Sequence, residues 1–161
     1  VSGDICVIDS SPLILLGKIR QLELLEKLAA KIIVPETVLE EIRNGADKDP
    51  FSHNTITWVK SYLVANIAIP VSVVAWDVGP GESQVIAHCL LGGYRAVLDD
   101  GKARACASSH SVPLIGTLGM ILRAKRKGLI SSARPIVERL VAAGSFMDLE
   151  LVEKALADIG E

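Results

Sequence analysis

Short apolar runs alternate with amphipathic stretches along the chain. Val7-Ile8, Ile32-Ile33-Val34, Ala96-Val97-Leu98 and Val112-Pro113-Leu114-Ile115 are compact, mostly β-branched and bounded by Asp, Pro or Gly. That is the pattern of strands buried on both faces. Between the first two, Leu13, Leu16, Leu22, Leu25 and Leu28 keep a helical period over residues 11–30, with a break expected near Gly17. Pro35 suits a first helical position, and Val38, Leu39 and Ile42 then form an inward face up to the stop at Asn44-Gly45. Further helices are expected over 82–91, 102–109 and 118–127, and two more over 134–158, separated by Gly144. Residues 46–80 carry a weaker pattern: a polar loop at 47–50, an edge strand at 56–59, and a segment 71–76 compatible with either state. Strand–helix alternation of this kind predicts an α/β fold, a parallel sheet wrapped by helices, with the first strand near its centre.

Carboxylates stand where these apolar runs end. Asp9 closes Ile5–Ile8, and Asp99 and Asp100 close Ala96–Leu98. In a parallel sheet the carboxyl ends of the strands converge on one crevice. Asp9 also suits a helix N-cap, a role Asp fills well, but Ser10 follows it directly with a hydroxyl able to bond a neighbouring carboxylate. At 100° per residue Glu41 borders the inward face of its helix while Glu40 points away. Glu82 lies three and four positions before Val85 and Ile86, on the apolar stripe; the helix dipole explains its acidity but not its direction. Gln84 is on the flank of that helix. Asp-Gly is turn chemistry, so one of Asp99 and Asp100 has a loop-shaping alternative. Thr117 has both an N-cap reading and one in which it fixes a water or carboxylate. Crowded carboxylates repel unless a cation holds them, and hard oxygen ligands suit Mg²⁺ or Mn²⁺.

Composition narrows the choice. At 161 residues the chain is expected to form a single domain over residues 1–161 with its own core. The formal charge of −2 supplies no global attraction for a polyanion, so nucleic acid would need a local basic patch or metal ions. Arg123, Lys125, Arg126 and Lys127 cluster at a helix end, where cations are favoured anyway but can meet phosphates. Three widely spaced cysteines fit neither a zinc pattern nor a disulfide framework and suggest a reducing cytoplasm. Asp4 interrupts the N-terminus with no basic region before it, so no signal peptide is expected. No apolar stretch is long enough to span a membrane. P-loop, dinucleotide-binding, nucleophile-elbow and paired-histidine motifs are missing.

Ile8-Asp9-Ser10-Ser11-Pro12-Leu13-Ile14 resembles the opening of PIN domains, and Val34-Pro35-Glu36-Thr37-Val38-Leu39-Glu40-Glu41-Ile42 resembles their second strand and acidic helix. Gly79-Pro80-Gly81-Glu82-Ser83-Gln84, Leu98-Asp99-Asp100 with Ala103-Arg104, and Gly116-Thr117-Leu118-Gly119 are similar to a prokaryotic PIN-like subfamily. The resemblance implies a three-layer α/β/α PIN-like domain with a short central parallel sheet. It also implies an acidic Mg²⁺ or Mn²⁺ site that hydrolyses RNA. The metal ligands would be Asp9, Glu41, Glu82 and Asp99, with Ser10 and Thr117 as supporting hydroxyls. The chain departs from related sequences at Gln84, where they tend to carry an acid, and at Glu82, where most PIN toxins have Asp.

The expected activity is a metal-dependent endoribonuclease, of the kind found as toxins in VapBC-type pairs, with RNA and an antitoxin protein as partners. The competing reading is a PIN-like interaction or RNA-docking module with weak or no catalysis. A homodimer is also expected, because helices at 11–30 and 134–158 carry more Leu and Val than one short sheet can cover.

Overall fold

β1 (Ile5–Ile8) has a parallel neighbour on each side: Val7 stands opposite Ile33 of β2 (Lys31–Pro35) and Ala96 of β4 (Arg95–Val97). Cys6, Val7 and Ile8 are accordingly without exposed surface. In the computed structural model, which describes residues 3–161, β3 (Leu63–Val64) flanks β2 and β5 (Leu114–Ile115) flanks β4. The sheet order is β3-β2-β1-β4-β5, every pairing parallel. The direction of winding reverses between β1 and β4, which makes the crevice beyond their carboxyl ends a topological switch point. The Asp9 amide carries the ladder one step further by donating to the Val97 carbonyl at 3.2 Å, so Asp9 is set at that crevice by the sheet itself.

Helices fill both faces. α1 (Ser10–Lys18) and α2 (Glu23–Leu28) join β1 to β2, and α3 (Glu36–Asn44) and α4 (Ser52–Val59) join β2 to β3. α5 (Val71–Val74) and α6 (Pro80–Gly92) lead back to β4, and α7 (Gly101–Ser109) connects β4 to β5. α8 (Thr117–Arg126), α9 (Arg134–Ala142) and α10 (Leu149–Asp158) complete the chain. Right-handed crossovers place the connections on opposite faces once the winding reverses. In agreement, α2 packs on β2 and α8, while α6 lies across β1, β2 and β4 and meets α7. The result is the three-layer α/β/α arrangement with a short parallel sheet.

Two local expectations are corrected and one open segment is assigned. Residues 56–59 belong to helix α4 rather than an edge strand, because Ser52, Thr55 and Val59 bury one face at helical spacing; the edge strand is β3. Segment 71–76 begins with the short helix α5. The helix break expected near Gly17 falls after Lys18, where Arg20 takes a left-handed φ of 56°. Gly17 lies inside α1 because α4 packs against it: a Cβ there would stand 2.1 Å from Thr55 Oγ1. Pro35 is the last residue of β2 and the N-cap of α3, one position before the helix.

Of the apolar side chains that suggested a dimer, most are covered within the chain, while Leu149 and Leu151 are exposed. Leu13, Leu16, Leu24, Leu25 and Leu28 are buried, as are Ile136, Val137 and Leu140. Large apolar side chains are exposed on α5, at the end of α6 and around the start of α10.

Gly17→Ala raises helix propensity by about 1 kcal/mol yet should lower stability by about 1–3 kcal/mol through overpacking against a stiff β-branched side chain. Urea denaturation should show this loss, and in a Thr55→Ala background the same substitution should no longer destabilise.

Candidate active site

Four structural elements bring carboxylates to the switch point. Asp9 follows β1, Asp99 and Asp100 follow β4, Glu41 projects from α3 and Glu82 from the first turn of α6. All five line one pocket of about 1070 Å³, together with Ser10, Arg104 and residues of the α9–α10 connection. Thr117 lies beneath it, fully buried.

Each peripheral carboxylate is held by neutral donors. Glu41 accepts from Ser10 Oγ at 2.7 Å and from the Gly81 amide at 2.8 Å. Gly81 must be glycine for this approach, since a Cβ would sit 2.6 Å from both Glu41 oxygens. Glu82 accepts from the Gly79 amide at 2.9 Å, its side chain folding back onto the N-cap of α6. Asp99 accepts from the Thr117 amide at 2.7 Å and from Thr117 Oγ1 at 2.6 Å. Asp100 is the N-cap of α7, accepting from the Ala103 amide at 3.0 Å. The two readings of Asp99-Asp100 therefore divide between the residues: Asp100 shapes the helix start, and Asp99 is oriented into the pocket.

Asp9 differs from the rest. It occupies the N-cap position of α1 without making a side-chain cap bond. Only 3% of it is exposed, and its Oδ1 has no hydrogen-bond partner among the described residues. Burial pushes its carboxyl up to about 7; the Ser10 amide pulls the other way, and the charges of Glu82, Glu41 and Asp99 push it up further. Glu82 is also raised, by burial first, against the Gly79 amide, with Asp100 and Glu41 adding repulsion.

The acids share a pocket without forming a closed cage. Among the described residues no three acidic, His or Cys side chains are grouped as metal ligands, which departs from the expected metal-bridged cluster. Repulsion accounts for the spread: each outer carboxylate leans onto its own amide or hydroxyl donor. The donor set still fits a hard divalent cation. All five carboxylates border one cavity, and one of their oxygens, Asp9 Oδ1, is buried and unpartnered among the described residues.

Other residues fall differently from the sequence reading. Gln84 is buried away from the pocket, its amide pairing with both the N–H and C=O of Ile67 at 3.0 and 2.8 Å. The missing acid there leaves these five carboxylates untouched. α6 is buried on nearly all sides, so Glu82 reaches the pocket through its place in the first turn rather than through a narrow apolar stripe. Arg104, which entered the resemblance without a role, is the one basic side chain among the described pocket-lining residues. Its Nη1 donates to the Leu98 carbonyl at 2.9 Å. The sequence signal was its spacing from Asp100, four residues along α7. Phe146 and Asp148 also line the pocket, and no periodicity pointed to them.

With an unfolded Asp titrating near ~3.9, the native chain holds an extra proton on Asp9 between about pH 4 and about 7. Stability from this group is thus fully present below about pH 4 and lost as pH rises through about 7. Asp9→Asn should therefore raise the melting point at pH 8, by a stability gain on the order of 1–4 kcal/mol, and confer no gain at pH 4. Thermal melts at the two pH values measure this directly.

No curated protein matches the chain. The family model of DUF3368, a PIN domain, matches residues 5–161, which span every strand and helix described above. With its acidic pocket at the switch point of a parallel sheet, the chain belongs to the PIN-domain family, whose members are generally nucleases.

Proposed function

We propose that this PIN domain is a metal-dependent endoribonuclease. The observation that carries the reading is the buried, unpartnered Asp9 Oδ1 at the floor of a pocket bordered by Glu41, Glu82 and Asp99. Asp9, Glu41, Glu82 and Asp99 would hold Mg²⁺ or Mn²⁺. A bound divalent cation supplies an acidified water and neutralises charge on a phosphodiester. The protein's part is to keep the ligands aimed. Ser10 and the Gly81 amide orient Glu41, Thr117 orients Asp99, and the Gly79 amide orients Glu82. Arg104 offers the pocket a fixed positive charge for a phosphate oxygen.

Glu41 and Asp99 already have both oxygens hydrogen-bonded, which favours the second reading, a docking module with weak catalysis. One experiment separates them. Mn²⁺ should raise the melting temperature of the wild type by mass action and permit cleavage of an RNA panel. Asp9→Asn should shrink the shift and abolish cleavage, and Gly81→Ala, which displaces Glu41, should reduce both. Equal responses of wild type and Asp9→Asn to Mn²⁺, with no RNA cut by either, would leave the docking module as the account.

The free, buried Cys6, Cys89 and Cys106 support a reducing cytoplasmic setting. No helix among the described residues is long and apolar enough to cross a membrane. The proposed partners are RNA, a second copy of the chain and, by likeness to VapC-type toxins, a small antitoxin protein. Val71 and Val74 on α5, 84% and 59% exposed, support self-association. Sedimentation velocity at micromolar concentration should give a dimer, alone or with the product of a neighbouring small gene; a monomer in both runs counts against these partners.

A further inference from the structure

The acidic pocket continues along helix α1. Ser11 and Leu15 line it, and Lys18 lines a second pocket of about 460 Å³. Positions 11, 15 and 18 follow i, i+4, i+7 spacing, so all three lie on one face of the helix. Ser11 is exposed and Leu15 and Lys18 are half-buried, so each of the three keeps exposed surface on the side that borders the two pockets. The α9–α10 connection borders both as well: Ala142 and Ala143 line the second pocket, and the residues that follow line the first.

The two ends of this groove have opposite electrostatics. The second pocket gathers Lys18, Lys48 and Arg139 from three separate elements, with Asp49 the one acid among its described lining residues. Asp49 is largely buried and its Oδ1 accepts from the Phe51 amide at 2.9 Å. Arg20 stands over the Phe51 ring, 5.7 Å from its centroid, and adds a cation beside the pocket. The dipole of α1 gives Lys18 a local reason to be basic; it gives none for Lys48 and Arg139 meeting it there. Lys18 and Lys48 have no ion-pair partner among the described residues. In a chain of net charge −2, such a local patch is what a polyanion requires. Phe146, on the wall of the acidic pocket, is held entirely out in solvent, where an aromatic ring offers a stacking face to an unpaired base.

We propose that this groove is the path of single-stranded RNA. The scissile phosphate lies at the carboxylates, a neighbouring base stacks on Phe146, and a phosphate further along the strand is held by Lys18 and Lys48. From Ser11 to Lys18 the helix rises about 10 Å, the span of about two or three nucleotides at ~3.4 Å or more each. The proposal deepens the ribonuclease reading and rests on it for the identity of the polymer. The basic cluster at the end of α8 lines neither pocket.

The test is fluorescence anisotropy with a labelled, unpaired RNA of about ten nucleotides, using the full chain carrying Asp9→Asn so that binding is read without cleavage. Adding Lys18→Gln and Lys48→Gln should weaken binding and make the slope of log K against log salt shallower by about 0.7, the value of the one phosphate contact that the two lysines share. Adding Phe146→Ala should weaken binding at least about five-fold with the slope unchanged. Arg139 is left intact because it also donates to the Ile19 carbonyl and ties α9 to α1. Arg126→Gln with Lys127→Gln, exposed at the end of α8, is the control of equal charge and should change little. An equal effect of the control, or none from the groove variants, overturns the path. Wild type that cuts RNA while its groove variants cut it equally well overturns the path alone. Binding that follows the predicted pattern with no cleavage by wild type supports the path and sinks the nuclease reading. RNA that binds nowhere overturns both.

Discussion

Placing the Asp9 carboxylate at the end of the central strand is the constraint around which this protein is arranged. Its backbone is committed to the sheet, because the Asp9 amide completes the ladder to Val97. Its side chain is thereby held in a pocket that offers Oδ1 no donor. A buried carboxylate in that position either keeps its proton or attracts a cation. With the proton affinity of Asp9 raised to about 7, both states lie within reach near neutral pH. The same geometry that weakens the fold at high pH is thus the feature on which the proposed divalent-ion site rests.

The surrounding elements are shaped by the need to hold other acids near Asp9 without letting them collapse away from it. Thr117 binds Asp99 with backbone and hydroxyl together, which fixes the start of α8 to the end of β4. Ser10 and Gly81 bind the two oxygens of Glu41, which ties α3 to both α1 and α6. Close backbone approach is part of this design. A Cβ on Gly116 would stand 3.0 Å from both Arg104 Nη1 and Asp99 Oδ1, much as one on Gly81 would meet Glu41. Gln84 contributes from one turn further along α6 by pairing with Ile67, which anchors the chain between β3 and α5 against that helix. Its amide is a structural clamp, and an acid in its place would lack the donor half of this pairing.

Charge is distributed so that neither the global field nor the acidic pocket attracts a polyanion by itself. The net charge is slightly negative, and Arg104 is the one described cation lining the carboxylate pocket. The concentration of Lys18, Lys48 and Arg139 at the other end of α1 changes that balance locally. A helix of nine residues can serve two opposite electrostatic environments because its N-terminal turn borders the acids and its last turn carries the lysine.

How much of this the sequence determined follows from the range of the interactions involved. Strands β1, β2, β4 and β5 were legible because burial on both faces demands continuous β-branched runs, and the acids at their ends stood out against that background. Glu41 was legible because one helical angle separates it from Glu40. Residues 56–59 were misread because four apolar and β-branched residues fit either period; the packing of Thr55 on Gly17 across the α1–α4 interface decides for helix. Asp99 and Asp100 are chemically identical in sequence, and only the position of Thr117 distinguishes them. Phe146, Lys48 and Arg139 carry no motif at all. Phe146 gains meaning where the α9–α10 connection borders the acidic pocket, and Lys48 and Arg139 where they meet Lys18 at the other end of α1; that proximity of distant segments is a property of the tertiary fold alone.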